Sequence, residues 1–392
     1  MRKKHFLFAS VLALLCGSSA LHAQDFKLTS SGYFKNQGVD IMAFDDIYPE
    51  GHQGGVCIIM NGHRVATNGD IRLEATPGQW QPVPKQLDRK LGDNSITATL
   101  CYPDSSRHLT GFNPMIYPDL HLIYTINVES KGKNIEVTVD LDRPIPQEFI
   151  GKVGFNLEFF PGSLFGKPWI MDGQSGIFPQ QPNSPLMTTQ PNYLHTGNYH
   201  DGKQSLADMD KLIGKGYSPI VADDIISEPY AKGRKFTSRP DDPYNKVTIE
   251  SLSGDLQLFD GRMNHNNGWF VLRSNIKPGV TKGAVKWIIT PNVVADWMYQ
   301  PVIQTSQIGY HPTQDKEAVI EMDIRDNRKE TAQIIRIDAD GEKVVKNVTP
   351  ANWGKFLRYN YLKVNFTDVK EPGLYKIKYN TSVSPIFRID ND

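Results

Sequence analysis

The sequence predicts an all-β protein, in which a large antiparallel sandwich or super-sandwich is followed by a small sandwich. Near the end of the chain Tyr375, Ile377 and Tyr379 alternate with lysines, which is the period of a strand with one buried and one wet face. A plain hairpin pattern occupies 120–141, where a Lys-Gly-Lys-Asn turn joins two alternating runs. Helix signals are confined to a weak turn or two at 206–213, so sheets must supply the fold.

Length divides the chain into two domains. It has 392 residues, more than a single hydrophobic core usually serves. We place the large sandwich at 24–300, with long irregular loops, and the small sandwich at 301–392. The connection lies near 299–304 and lacks the composition of a flexible linker, so the two bodies are expected to pack semi-rigidly.

The first 23 residues have the pattern of an export signal. Three basic residues occupy 2–4, an apolar stretch fills 6–15, and small residues lead to a cleavage point after Ala23. The apolar stretch is too short for a transmembrane helix, so we expect a periplasmic or secreted protein that is not integral to the membrane. A lipoprotein box ending at Cys16 is the alternative, although a bulky leucine before the cysteine fits it poorly.

Charge and cysteine content exclude several classes of protein. The chain carries 43 Lys and Arg against 43 Asp and Glu, and this balance argues against a nucleic-acid partner. Cys57 and Cys101 would meet an oxidising compartment, where a disulfide between two strands is possible; buried thiols are an equal alternative. No cysteine or histidine spacing predicts a metal site, and no phosphate loop or nucleophile elbow occurs. We therefore expect no metal and no cofactor.

Five separated motifs in the small sandwich carry a family resemblance. They are Gln307-Ile308-Gly309-Tyr310, Lys316, Phe366-Thr367-Asp368-Val369, Pro372-Gly373-Leu374-Tyr375 and Ser384-Pro385-Ile386-Phe387-Arg388-Ile389. In this order they resemble the immunoglobulin-like domain that precedes the catalytic barrel in many family 9 glycoside hydrolases, the cellulase family. The resemblance implies an immunoglobulin-like sandwich, in which Tyr375 could act as a tyrosine corner. It also implies a following (α/α)6 barrel with its catalytic acids, and no such segment is found before residue 392.

The large sandwich is similar, more distantly, to the leading regions of some bacterial family 9 proteins. The motifs that carry this are Asn68-Gly69-Asp70-Ile71-Arg72-Leu73, Pro77-Gly78-Gln79-Trp80 and Asn267-Gly268-Trp269-Phe270. Fold analogy favours a super-sandwich like that of galactose mutarotases. Two Asn-Gly pairs, at 61–62 and 68–69, predict tight turns of a meander.

No residue is selected as catalytic. Glycoside hydrolysis needs two carboxyl groups across the scissile bond, but adjacent strand residues face opposite ways, so the paired aspartates of this chain are interpreted as turn acids. Glu158 stands within an apolar strand run, where burial would raise its pKa. The wet face of an edge strand is the more ordinary interpretation of that position.

Aromatic side chains give the candidate sugar-binding patch, because the apolar face of a pyranose stacks on a flat ring while its hydroxyls need polar partners. In the irregular region between 161 and 243 the candidates are Trp169, Tyr193, His195, Tyr199 and Tyr230. Structural packing of these rings is the competing interpretation. Trp269, Trp287 and Trp297 lie in strand-like contexts, where we expect them to pack the core or the domain joint.

Together these features predict an exported accessory region of a family 9 glycoside hydrolase, which supports β-glucan breakdown by scaffolding or weak glycan binding. Its expected partners are β-glucan or another plant polysaccharide and a catalytic glycoside hydrolase domain. One alternative is a carbohydrate-active lyase, epimerase or hydrolase with its site in the large sandwich near Glu158. The other is a free-standing glycan-binding protein.

Overall fold

The computed structural model describes residues 25–45, 54–74, 76–77, 84–102, 120–182, 227–263 and 268–391. The signal segment, the weak helical turn at 206–213, and Tyr193, His195 and Tyr199 lie outside these ranges. Within them the all-β prediction is confirmed, since antiparallel strands dominate and the helical segments are short 3-10 turns such as Gln147–Phe149. The described residues contain no helix with the length and apolarity needed to cross a membrane.

The strands before residue 292 build the first sandwich. In chain order they are β1 (Lys27–Leu28), β2 (Phe34–Asn36), β3 (Val39–Ala43), β4 (Val56–Met60), β5 (His63–Leu73), β6 (Lys85–Leu91), β7 (Ser95–Cys101), β8 (Ile123–Lys131), β9 (Asn134–Leu141), β10 (Val153–Phe159), β11 (Pro168–Met171), β12 (Gln174–Ile177), β13 (Ala231–Gly233), β14 (Lys235–Ser238), β15 (Val247–Ser251), β16 (Leu256–Asp260), β17 (Phe270–Asn275) and β18 (Val285–Pro291). The described strands form two nine-stranded sheets, β1-β2-β3-β4-β5-β10-β17-β16-β13 and β12-β11-β14-β15-β18-β9-β8-β7-β6.

One continuous apolar core, running in sequence from Phe26 to Ile289, joins these two sheets. The alternation of side chains along the strands supplies the residues of this core. On β9 every second residue is buried, so Ile135, Val137, Val139 and Leu141 point inward. Trp287 of β18 is fully buried, and its ring meets that of Phe155 edge to face at 4.9 Å. Trp287 thus packs the core, as its strand context predicts.

The two Asn-Gly pairs have different outcomes. Asn61 and Gly62 both have positive φ, 52° and 83°, and connect Met60 of β4 to His63 of β5, so the first predicted turn is confirmed. The second prediction is wrong, because β5 runs straight through Asn68 and Gly69. There Asn68 has φ 55° and the register with the neighbouring strands shifts, so the pair forms a β-bulge.

The strands after residue 301 build a smaller sandwich. They are β19 (Val302–Gln304), β20 (Glu317–Asp323), β21 (Ala332–Asp338), β22 (Gly341–Val348), β23 (Ala351–Phe356), β24 (Tyr359–Asn365), β25 (Gly373–Tyr379), β26 (Ser382–Val383) and β27 (Phe387–Ile389). They form the sheets β19-β20-β24-β23 and β22-β21-β25-β26, with β27 paired to β25. Apolar residues between 303 and 389 make a second core.

Two motif residues of the small sandwich have clear structural roles. The Tyr375 hydroxyl donates to the backbone carbonyl of Glu371 at 2.7 Å, which confirms the predicted tyrosine corner. Lys316 is fully buried, and its ammonium donates to the carbonyls of His311, Pro312 and Gln314 at 3.4, 2.8 and 3.1 Å. These backbone oxygens replace the water molecules that the ammonium loses when it is buried.

Trp297 and its neighbours form the contact between the two sandwiches. The Trp297 carbonyl accepts from Gln37 Nε2 at 2.5 Å and from Arg325 Nη2 at 2.8 Å. Its indole lies so close to Gly38 that a Cβ there would stand 2.7 Å from the ring, and Gly38 also has φ 67°, so glycine is needed at this position. Arg358 Nη1 reaches across to Asp40 Oδ2 at 3.0 Å.

Candidate functional site

A buried polar cluster lies on three neighbouring strands of the first sheet. It consists of Asp70, Arg72 and Glu74, on and just after β5, with Glu158 of β10 and Arg273 of β17, all of them less than a tenth exposed. Register brings these residues together, since β10 pairs with both β5 and β17. Glu158 is therefore buried in the centre of a sheet, and the interpretation as a wet edge position is wrong. The apolar residues on either side of Glu158 are compatible with a central strand and with an edge strand, so the sequence alone could not distinguish them.

Arg273 and Glu74 form the most enclosed ion pair of this cluster. Arg273 Nη1 donates to Glu74 Oε1 at 3.1 Å, and both side chains are 1 % exposed. Asn156 Nδ2 donates to the same carboxylate oxygen, and Asn156 Oδ1 accepts from Arg273 at 3.0 Å. The second guanidinium nitrogen donates to the backbone carbonyls of Glu74 and Lys152, so Arg273 is fixed from several directions.

Glu158 and Asp70 surround the second arginine. Glu158 Oε2 accepts from Asn68 Nδ2 at 2.6 Å, and Glu158 Oε1 lies 3.9 Å from Arg72 Nη2. Asp70 Oδ1 accepts from the Tyr124 hydroxyl at 2.9 Å. Three carboxyl groups therefore share two guanidinium groups, which leaves one formal negative charge if all three are ionised.

Two of these carboxyl groups have raised pKa values because they are buried. Burial raises the pKa of Glu74 to about 7, against the opposing pull of Arg273 and Arg72. Burial likewise raises the pKa of Asp70 to about 6, although Arg72 and the hydrogen bond to Ile71 N oppose the shift. Glu74 Oε2 has no hydrogen-bond partner. Carboxyls of this kind can act as acid or base, provided that a substrate reaches them.

Of the five residues of the predicted sugar-binding patch, Trp169 and Tyr230 lie within the described part of the chain. Trp169 lies on β11 rather than in a loop and is 6 % exposed within the core. Gly176 packs against its indole, so no open ring face remains for a pyranose. Tyr230 is half-buried against the same core and donates its hydroxyl to Asp260 Oδ2 at 3.0 Å. The proline-rich sequence around Trp169 concealed a strand.

Cys57 and Cys101 are not joined to each other in the structure. Cys57 is buried on β4, whereas Cys101 ends β7 in the facing sheet and is partly exposed. Burial raises the pKa of the Cys101 thiol, which lowers its reactivity. Among the described residues no group of histidine, cysteine or acidic side chains could hold a metal ion.

A pocket of about 210 Å³ opens where the two sandwiches meet. Large-sandwich residues on one side, including Lys35 and Asp40, face Trp297, Tyr299 and Arg358 on the other. Its volume is below the roughly 300–1,000 Å³ of pockets that enclose a small ligand. The joint pocket therefore suits one end of a longer ligand.

From this pocket an unbroken series of aromatic rings, here named the aromatic row, crosses the outer face of the sheet β19-β20-β24-β23. Its members are Trp297, Tyr299, Tyr359, Tyr361 and Trp353, with successive centroids 6.3, 5.1, 6.1 and 6.0 Å apart. Trp353, on the exposed strand β23, is 58 % exposed. This row was not predicted from the sequence, although two tyrosines at alternate positions of one strand were a usable signal.

Charged side chains hold the aromatic row in place. Glu321 of β20 accepts the hydroxyls of Tyr299 and Tyr361 at 3.0 and 3.1 Å. Burial and this acceptor raise the pKa of the Tyr299 phenol, which keeps it protonated as a donor. Lys363 Nζ stands 4.9 Å from the centroid of Trp353, an attractive cation–π contact.

Comparison with known proteins places the small sandwich in a family. Residues 298–384 match the model of the cellulase N-terminal ig-like domain, which confirms the resemblance carried by the five motifs. A metagenome-derived glycoside hydrolase family 9 endoglucanase of known structure is 29 % identical over 23 % of this chain and 18 % of its own, with a TM-score of 0.21. The chain thus covers under a fifth of that structure. No curated protein matches the sequence.

Proposed function

We propose that this chain, whose residues 298–384 carry a cellulase-type ig-like domain, is an exported accessory region of a family 9 glycoside hydrolase system. It supports β-glucan degradation by holding a catalytic domain in place and by binding glycan weakly, and it hydrolyses nothing itself. Export to the periplasm or beyond follows from the signal pattern at 1–23. The catalytic partner belongs to the same family as the endoglucanase described above.

The observation that carries this proposal is the family match of the small sandwich, together with its hydrogen-bonded contact with the large sandwich. Its β20 and β24 ends touch the large sandwich through Arg358–Asp40 and through the Trp297 carbonyl. Burial raises the pKa of Asp40, with the Arg358 guanidinium opposing that shift. A partly enclosed, hydrogen-bonded contact of this kind is suited to fixing the orientation of one body on another.

Two measurements test the accessory role. The purified chain alone should release no reducing sugar from cellulose, mixed-linkage glucan or xyloglucan. Added to a purified family 9 catalytic domain that lacks an ig-like domain, it should raise hydrolysis of insoluble β-glucan above that of the domain alone, with serum albumin as the protein control. Sugar release by the chain alone, abolished by a single carboxylate substitution, would overturn the proposal.

The buried polar cluster favours a second candidate, a carbohydrate-active enzyme site in the large sandwich. Two carboxyls with pKa values of about 6 and about 7 lie beside Arg72 and Arg273, a combination suited to proton transfer at neutral pH. Glu74→Gln, which keeps the shape of the side chain, should then lower any reducing-sugar release or formation of unsaturated product on the order of 10²-fold or more. The accessory role predicts no such activity to abolish.

A further inference from the structure

We propose that the aromatic row and the joint pocket form a binding site for a single, neutral β-glucan chain. This inference rests on the proposed function for the identity of the polymer, and it adds the site, the charge class and the physical form of the ligand. The glucan would lie across the outer face of the sheet β19-β20-β24-β23, with one of its ends in the joint pocket.

Strand register explains why the rings share one face. Tyr359 and Tyr361 of β24 stand opposite Asp323 and Glu321 of β20, and directly opposed residues of an antiparallel pair project to the same side. Leu362 and Val364, at the alternate positions that follow Tyr361 on this strand, point inward and are buried. The outer face of the sheet therefore carries neighbouring aromatic rings, and acidic side chains lie beside them.

A β-bulge brings Trp353 onto this face. The register between β23 and β24 shifts between Asn352 and Gly354, and Gly354 has φ 133°, a conformation that favours glycine. The additional residue is Trp353, whose ring meets Tyr361 at 70°. Lys363 lies over the ring, but Trp353 is 58 % exposed, so part of the indole surface is accessible to a sugar.

The tilt between rings selects the form of the ligand. Successive rings of the row are turned by 70°, 57°, 62° and 70°, so they do not make one flat platform. A crystalline cellulose face is flat and cannot stack on successive rings that are turned from one another by at least 57°. A separate chain can rotate about its glycosidic bonds and present its sugar faces to differently inclined rings.

Charge balance selects a neutral polymer. The charged groups around the pocket end balance in number: Arg325 Nε lies 2.8 Å from Asp323 Oδ1, and Arg358 Nη1 lies 3.0 Å from Asp40 Oδ2. The remaining cation of the pocket lining, Lys35, is matched by the carboxylate of Glu321 beside Tyr299. Although burial opposes it, hydrogen bonds from Arg325 and Tyr299 N lower the pKa of Asp323 to about 2. A balanced set of charges offers no net attraction to a polymer of uronates, whereas its carboxylates can accept hydrogen bonds from sugar hydroxyls.

Preorganisation keeps the entropic cost of binding low. Tyr299 and Tyr361 are tied to Glu321, and Tyr299 N donates to Asp323 Oδ2 at 3.0 Å. Rings that are already fixed lose little rotamer freedom when a ligand arrives. Weak but selective stacking is the expected result, as an accessory module requires.

Affinity electrophoresis of the whole protein tests the site. Native gels containing mixed-linkage glucan or xyloglucan should retard the wild-type chain, and Trp353→Ala should weaken that retardation about three- to tenfold, as expected for the loss of one stacking ring. Trp353→Phe should restore part of it. The matched control is Ile177→Ala, which removes a 66 % exposed apolar side chain on β12 of the large sandwich. Urea transitions should coincide for all variants, because position 353 is outside both cores.

Each of the other outcomes refutes one part of these proposals. Absence of retardation in every soluble β-glucan gel, or wild-type retardation of Trp353→Ala, refutes the site. Equal retardation by polygalacturonate refutes the charge class, and equal depletion by microcrystalline cellulose refutes the single-chain form. If glucans have no effect but Trp353→Ala abolishes co-elution with a family 9 catalytic domain, the face is a protein-docking surface instead. Retardation without any stimulation of a catalytic domain keeps this inference and rejects the accessory role.

Discussion

Glu74→Gln should make the large sandwich less sensitive to pH. Glu74 Oε1 accepts hydrogen bonds from Asn156 and Arg273 while Oε2 has no partner. Glutamine keeps the accepting oxygen and replaces the unpartnered one by an amide. It also removes the third acid of the buried polar cluster, so that Asp70 and Glu158 balance Arg72 and Arg273.

The magnitude follows from the shift in pKa. Burial raises the Glu74 pKa from its ordinary 4.5 to about 7, so the folded protein holds this proton more tightly than the unfolded chain. Wild-type stability therefore falls as pH rises through this window and levels off above it. At 1.36 kcal/mol per pKa unit, the wild type should lose about 3 kcal/mol relative to Glu74→Gln.

Urea unfolding followed by circular dichroism at intervals from pH 5 to pH 8 measures this difference. The matched control is Glu129→Gln on β8, where the carboxylate is at the surface beside Lys131 Nζ, and loss of one such acid changes stability little. A difference between wild type and Glu74→Gln that stays constant across the range would refute the reasoning. A constant difference would mean that Glu74 is ionised throughout, and that the cluster tolerates its extra negative charge.

The small sandwich allows three further tests by urea unfolding. Tyr375→Phe removes the hydroxyl that donates to the Glu371 carbonyl and should cost about 1 kcal/mol; an unchanged midpoint would contradict the tyrosine-corner role. Lys316→Met leaves three backbone carbonyls without their donor and should cost about 3 kcal/mol, whereas a gain in stability would show that desolvation of the ammonium dominates. Because hydrogen bonds from Arg325 lower the pKa of Asp323 to about 2, wild type should lose stability relative to Asp323→Asn as pH falls from about 4 to 2, and a pH-independent difference would exclude that linkage.

Local signals in the sequence predicted what local geometry decides. Asn61-Gly62 formed the expected turn because both residues could take positive φ while the flanking strands paired directly. The same dipeptide at 68–69 became a bulge, since β10 pairs with β5 on both sides of it. Pairing with neighbouring strands, rather than the dipeptide itself, decides whether an Asn-Gly pair forms a turn or a bulge. A single sequence does not contain that pairing information.

Burial of side chains was harder to predict for the same reason. Glu158 lies in a strand whose every residue is buried, so alternation could not show which of its faces met water. Trp169 was placed among prolines and glycines, yet β11 pairs with β12 and β14 and carries its indole into the core. The aromatic row depends on three strands and on the joint, so no single stretch of sequence displays it.

The joint pocket links the two proposals through one ring. Tyr299 belongs to the connection between the sandwiches, touches Tyr359 at 5.1 Å and packs against Gly62 of the large sandwich. Residues of both sandwiches therefore position the pocket end of the aromatic row, while Trp353 at the other end depends on the small sandwich alone. Loss of the large sandwich should consequently leave Trp353-dependent binding of short β-glucan oligomers and weaken the extra affinity of longer chains. If the proposed glycan site is correct, the large sandwich contributes to it by positioning Tyr299 at the pocket end.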